Sequence, residues 1–176
     1  LHLWSRRWPR ALAHALLPST CALCGALGDA VVCAPCHAHY VAPRRARCPA
    51  CANPVGLLDT GLCAACLSAA PEFDATVAAA DYCSPLDQLV LQLKFGGRLA
   101  LAPWFAQMLR DAVLARPGLA LPDLLCPVPL GPRRLVERGF NQALEIAKPL
   151  AASLGIELGA RLAQRARECV PHDALG

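Results

Sequence analysis

The chain has 176 residues, of which 56% are hydrophobic and only 17% are charged, a composition that excludes disorder over the whole length. The formal net charge of +4 comes entirely from residues 1–70, because residues 71–176 carry equal numbers of acidic and basic side chains. The cysteines also cluster in that first part, and cysteines that bind metal ions as thiolates would offset its positive charge. Bulk charge alone therefore gives little reason to expect a nucleic-acid-binding protein.

The N-terminal segment predicts a helix over residues 1–20. Its apolar run, residues 11–17, is stopped by Pro18, since proline cannot continue a helix. The best candidate for a membrane span, residues 11–28, is interrupted by His14 and Pro18, so we expect no span. Nothing in the sequence indicates the oligomeric state.

The most informative feature of the sequence is a series of four Cys-x-x-Cys pairs, which uses eight of the eleven cysteines. A two-residue spacing lets both sulfurs of a tight turn reach one tetrahedral ion. The gaps of eight residues between pairs one and two and of eleven between pairs three and four suit two successive zinc ribbons. We therefore expect a double zinc ribbon over residues 21–70 that binds two zinc ions. The expected ligands are Cys21, Cys24, Cys33, Cys36, Cys48, Cys51, Cys63 and Cys66.

Other uses of these cysteines remain open at this level. They include structural disulfides in an exported protein, a redox-active pair, and a cross-braced arrangement in which pair one shares an ion with pair three. His37 and His39 follow the second pair, but four cysteines already fill a zinc site, so we expect both to be solvated. The remaining cysteines are expected to pack as small apolar side chains: Cys83, Cys126 and Cys169.

The segment from residue 72 onward predicts alternating strands and helices. Residues 75–82 suit a short strand, and apolar residues at helical spacing follow from Leu86 to Leu93, ending near Gly96. A second helix is expected from Leu101 to Ala112.

Two further elements complete this pattern. Residues 124–130 form a short apolar run typical of a buried strand, which prolines end. A third helix is expected from an Asn141 cap to Gly155, with a kink at Pro149. This order suggests an α/β unit with a parallel sheet. The sheet is expected to be incomplete, because a doubly wound domain needs more strands than the sequence offers.

Two segments carry a resemblance to a known family. Residues 86–98 read Leu-Asp-Gln-Leu-Val-Leu-Gln-Leu-Lys-Phe-Gly-Gly-Arg, and residues 126–142 read Cys-Pro-Val-Pro-Leu-Gly-Pro-Arg-Arg-Leu-Val-Glu-Arg-Gly-Phe-Asn-Gln. Together with the cysteine pairs, these segments resemble the ComF family of competence protein F and GntX-like proteins. Residues 165–172 also resemble a later family segment, with His172 where Gln is usual and Cys169 where Thr is usual.

The resemblance implies a double zinc ribbon followed by an α/β type I phosphoribosyltransferase-like domain, here residues 72–176. It also implies a role in taking up DNA during natural competence, or a role in uncharacterised phosphoribosyl chemistry. We expect a cytoplasmic protein whose partners are single-stranded DNA or competence-machinery proteins. In such transferases, two adjacent acidic residues hold the ribose of phosphoribosyl pyrophosphate. A Thr-Thr-Gly loop holds its 5′-phosphate, and Mg²⁺ neutralises the pyrophosphate.

This sequence contains neither the adjacent acidic pair nor a Thr-Thr-Gly segment. We therefore expect the transferase-like domain to be incomplete and truncated at the C-terminus, and residues 1–176 alone to lack transferase activity. Mg²⁺ and phosphoribosyl pyrophosphate are expected only for a complete chain. The alternative function is a zinc-ribbon module that binds single-stranded DNA or proteins without chemistry of its own.

Five basic side chains near two predicted helices are candidate contacts for phosphates of a substrate or of single-stranded DNA. The alternative is that they are solvated charges at helix ends, with Arg138 paired to Glu137 or Glu145. The candidates are Lys94, Arg98, Arg133, Arg134 and Arg138.

Overall fold

The computed structural model describes residues 19–41, 45–56 and 61–166. The chain divides into two compact units, Leu1–Ala42 and Pro43–Gly176. The boundary falls between the second and third Cys-x-x-Cys pairs, so the last two pairs belong to the same unit as the long helices. Most of the helix expected over residues 1–20 lies outside the described residues, but Ser19–Thr20 form a strand. Cys169 and His172 also lie outside them.

Each cysteine-rich segment combines a short antiparallel pairing with a short helix. In the first, strand β1 (Ser19–Thr20) pairs with β2 (Leu27–Gly28), and helix α1 (Ala34–Val41) follows. In the second, a single antiparallel bridge joins Arg47 to Pro54, and helix α2 (Ala64–Ser68) follows. In both segments the helix begins directly after a cysteine and contains the next one, so local structure sets the spacing of each later pair.

Four helices follow in the remaining described chain, and the three expected ones are confirmed. They are α3 (Leu86–Lys94), α4 (Leu101–Leu114), α5 (Pro132–Arg138) and α6 (Gln142–Leu154). The expected cap of α6 is present, because the Asn141 side chain accepts a hydrogen bond of 3.0 Å from the Ala143 N–H. Helix α6 ends where Gly155 adopts a φ of 68°, which other residues adopt only at a cost.

The core of this unit forms where α4 packs against α6 and α3 packs against α4. Leu89 and Leu93 of α3 and Leu101 of α4 are almost completely buried. Each such side chain contributes about 1.5–3 kcal/mol through the hydrophobic effect. Trp104 is only 8% exposed and its ring contacts Phe105, so it is a packing residue.

The strand predictions were only partly right. The expected strand over residues 75–82 is wrong, because the Thr76 N–H and carbonyl bond to the loop of the third cysteine pair and to Arg116 instead of to a strand. The strand expected over residues 124–130 is limited to β3 (Leu124–Leu125), which is partly exposed; Pro127 and Pro129, which lack an N–H, follow it.

A parallel pairing connects β3 to β4 (Glu157–Leu158), and helices α5 and α6 form the crossover between the two strands. This is the parallel arrangement that the sequence predicted, reduced to two strands in the described part of the chain. Over residues 19–41, 45–56 and 61–166, no helix combines the length and the apolar character that a bilayer crossing requires.

Candidate metal centres and a basic cleft

The eight cysteines of the four pairs gather into two groups of four. The sulfur atoms within each group all lie within 4.8 Å of one another. Pairs one and two form the first cysteine group, and pairs three and four form the second. The arrangement is therefore sequential, and the cross-braced alternative is wrong. The first group is Cys21, Cys24, Cys33 and Cys36, and the second is Cys48, Cys51, Cys63 and Cys66.

The spacing of the sulfurs fits zinc. A tetrahedral zinc ion with Zn–S bonds of about 2.3 Å places its sulfur ligands about 3.8 Å apart. The Sγ atoms of Cys24 and Cys33 are 3.7 Å apart, and those of Cys51 and Cys63 are 3.5 Å apart. Four thiolates leave no open coordination position, so the chemistry of both groups is that of structural zinc sites.

Backbone N–H groups surround one sulfur in each group. The Cys33 N–H lies 3.4 Å from the Cys21 Sγ, and the Cys63 N–H lies 3.4 Å from the Cys48 Sγ. These donors favour the thiolate over the thiol. The N–H groups of Cys51 and Cys63 lower the pKa of Cys48 to about 6. Burial raises the pKa of Cys21, but the surrounding N–H groups outweigh it and lower the value to about 6.

The last cysteine of each group is shifted the other way. A hydrogen bond with Cys33, together with burial, raises the pKa of Cys36 to about 12. A hydrogen bond with Cys51, together with burial, raises the pKa of Cys66 to about 12. Binding of a metal ion by all four sulfurs therefore requires protons to leave, so metal affinity must fall as the pH falls.

The residue after the first pair of each group adopts a left-handed backbone. Gly25 has a φ of 74° and Ala52 has a φ of 59°. Their N–H groups each donate a 2.9 Å hydrogen bond to the carbonyl of the first cysteine of the pair, Cys21 or Cys48. Glycine adopts this conformation at little cost, whereas an alanine such as Ala52 adopts it rarely, so the turn at Ala52 is recognised only from the structure.

Three of the five predicted basic residues line one cleft, and the other two lie outside it. Lys94, Arg134 and Arg138 line one cleft of about 780 Å³. Arg98 and Arg133 are not among its lining residues. The Arg98 guanidinium donates a 3.0 Å bond to Gln92, and Arg133 forms an ion pair of 2.9 Å with Glu137.

Arg165 also lines this cleft and was not predicted as a site residue, although its segment was noted for its family resemblance. Its Nε donates a 3.2 Å hydrogen bond to the Pro129 carbonyl. The two residues are 36 positions apart, so no local sequence pattern predicts this contact. Aromatic side chains share the cleft with these cations: Tyr82, Phe95 and Phe140.

Arg138 is the most constrained of these cations. Its guanidinium carbon lies 5.0 Å from the centroid of the Phe95 ring, and its Nη1 donates to the Gln142 side chain. Burial and, to a smaller extent, the nearby Arg134 lower the pKa of Arg138. Glu137 also lines the cleft, and its carboxylate acts in the opposite direction by raising the pKa of Arg138.

Comparison with known proteins agrees with the metal-site geometry. Residues 12–71 match the double zinc ribbon domain. Over 157 residues the chain is 38% identical to DNA utilization protein YhgH of Salmonella typhi, covering 86% of this chain and 68% of that protein. The protein of the same name from Escherichia coli strain K12 is 35% identical over the same length and coverage. Competence protein F of Haemophilus influenzae is 34% identical over 98 residues, 53% of this chain and 42% of that protein.

No solved structure matches the chain significantly. The two cysteine groups and the matching domain place the chain among double-zinc-ribbon proteins. Its similarity to these relatives is more specific, and the chain belongs to the ComF family.

Proposed function

We propose that this chain binds single-stranded DNA along its basic cleft. One zinc ion in each cysteine group stabilises the ribbons. The names of the relatives, DNA utilization protein and Competence protein F, support a role in DNA uptake. They also suggest proteins of the uptake machinery as partners.

The observation that carries the proposal is the convergence of cations and aromatic rings in one cleft. Lys94 ends helix α3, Arg134 and Arg138 belong to helix α5, and Arg165 lies near the end of the described residues, yet all four line the cleft. Phe95, which also lines it, is 71% exposed. Sites for single strands combine such cations, which contact phosphates, with aromatic rings on which unpaired bases stack.

The zinc ions have a structural part in this proposal. The two-residue strands and the helices of eight and five residues bury little apolar surface, so the ribbons depend on metal for their folded state. Eight thiolates must stay reduced to bind it, which favours the cytoplasm as the place where the protein works.

The test is binding of a fluorescent single-stranded oligonucleotide to the zinc-loaded chain, followed by anisotropy at several salt concentrations. We expect the logarithm of the binding constant to fall linearly with the logarithm of salt, with a slope of about 0.7 per phosphate contact. Arg134→Gln should weaken binding and reduce that slope. Arg110→Gln is the matched control, because Arg110 is ion-paired with Asp111 and does not line the cleft. Equal losses in both variants, or binding that ignores salt, would contradict the proposal.

A phosphoribosyltransferase-like role is the second candidate. It is supported by the family resemblance and by the size of the cleft, since about 780 Å³ lies within the usual range for small-molecule sites. A pyrophosphate group would meet the same cations. A rise in melting temperature on adding phosphoribosyl pyrophosphate with Mg²⁺ would favour this candidate, because a ligand that binds the native state stabilises it. No rise at millimolar ligand would count against it.

A further inference from the structure

The two cysteine groups differ in what holds their metal-binding loops. In the second group, the loop of the third pair consists of Pro49 and Ala50, between Cys48 and Cys51. Both of its carbonyl groups bond to residues far along the chain. The Ala50 carbonyl accepts a 2.7 Å bond from the Thr76 N–H, and the Pro49 carbonyl accepts a bond from the Arg116 guanidinium.

Arg116 joins these contacts into one network. Its Nη1 donates a 2.6 Å bond to the Thr76 carbonyl, while its Nη2 donates to Pro49. The planar guanidinium thus bridges two carbonyls through two different nitrogen atoms of its rigid fork, a shape that the single ammonium group of lysine lacks. Arg116 lies two residues beyond the end of helix α4, and its own N–H bonds to the Val113 carbonyl at 3.2 Å. The end of a core helix is therefore fixed to the loop that presents two sulfurs to the metal.

A second contact fixes the base of the same loop. Arg47, which precedes Cys48, forms an ion pair with Asp81 and donates a 2.9 Å bond to the Ala52 carbonyl. In the corresponding loop of the first group, the Ala22 N–H bonds to the Val31 carbonyl of the same cysteine-rich segment at 2.8 Å. The two loops therefore have different supports, one long-range and one local.

We infer that Arg116 is a positioning residue for the second metal site, and that metal binding at this site is coupled to the helical core, whereas the first site binds metal independently of that core. Partners that orient metal ligands from outside the coordination sphere commonly change metal affinity tenfold to a hundredfold when removed. This inference concerns the metal sites and does not depend on DNA binding by the cleft.

The test measures zinc loss from each group separately in the full zinc-loaded chain. An excess of EDTA removes zinc, free cysteines are alkylated with N-ethylmaleimide at timed intervals, and peptide mass spectrometry identifies the labelled residues. Arg116→Ala should accelerate labelling of the second cysteine group by roughly tenfold to a hundredfold and leave the first group unchanged. The first group serves as the internal control in every sample.

Three further variants sharpen the result. Arg116→Lys should give an intermediate acceleration, because it keeps the charge and loses the fork. Arg110→Ala removes another arginine of the same helix region and should leave both groups unchanged. If Arg116→Ala does not fold, Asp81→Asn replaces it and should give a smaller acceleration confined to the second group. An unchanged rate for the second group, or equal acceleration of both groups, would overturn the inference.

Discussion

The guanidinium of Arg138 lies over the ring of Phe95, with 5.0 Å between its central carbon and the ring centroid. Arg138 ends helix α5, whereas Phe95 is the C-cap of helix α3. The contact therefore joins the two segments on which the family resemblance depends. A cation held against an exposed ring in this way offers both a phosphate contact and a stacking surface.

Replacing this ring should reduce binding of a single strand. Phe95→Ala is expected to weaken oligonucleotide binding by about 1–3 kcal/mol, the usual contribution of one stacked base. Phe73→Ala is the matched control, since Phe73 is 51% exposed and does not line the cleft. Anisotropy titrations at one fixed salt concentration measure both variants. An equal loss in the control, or none for Phe95→Ala, would show that the ring does not take part.

The left-handed turn at Gly25 should be necessary for the first zinc site. An added Cβ meets no atom within 4 Å, so the cost of Gly25→Ala is conformational and amounts to about 1–2 kcal/mol. We expect faster zinc loss from the first cysteine group alone, measured by timed alkylation. Gly28→Ala is the matched control, because Gly28 also has free space for a Cβ but no positive φ. Equal effects of the two substitutions would contradict this explanation.

Removal of zinc should unfold both ribbons. The short strands and helices of residues 21–66 bury little apolar surface, so without the metal nothing else holds the ribbons folded. Limited proteolysis after chelation should therefore cut within residues 21–66, and readdition of zinc under reducing conditions should restore resistance. A proteolysis pattern that is the same with and without zinc would be inconsistent with zinc ribbons.

Residues 1–176 should not release pyrophosphate from phosphoribosyl pyrophosphate. This expectation follows from the sequence, which has no adjacent acidic residues and no Thr-Thr-Gly loop. A coupled pyrophosphate assay with Mg²⁺ and a panel of bases measures it, with a chelator-treated sample as the blank. Release above that blank, lost in Arg134→Gln, would assign transferase chemistry to the cleft.

Local features of the sequence predicted local structure well. The spacing within the four cysteine pairs identified the eight cysteines that form the two groups, and Asn141 and Gly155 marked the ends of helix α6. Each of these signals depends on atoms a few residues apart, such as a side chain that caps its own helix. Such short-range signals can be read directly from the order of residues along the chain.

Contacts between distant segments were beyond the reach of such signals. The apolar pattern of residues 75–82 predicted a strand, but Thr76 bonds to Ala50 and Arg116 instead. Arg98 resembled the other candidate cations in the sequence, yet it bonds to Gln92 while Arg165 lines the cleft.

The sequence by itself determined the types of ligand, their pairing into tight turns and the helices that carry the core. Only the tertiary structure decided which pairs share a site, which cations meet in one cleft, and that the second ribbon is fixed to helix α4. The bond from Arg116 to Pro49 spans 67 residues. Such a contact forms only after the core has brought its partners together, because closing a long loop carries an entropic cost that no local pattern encodes.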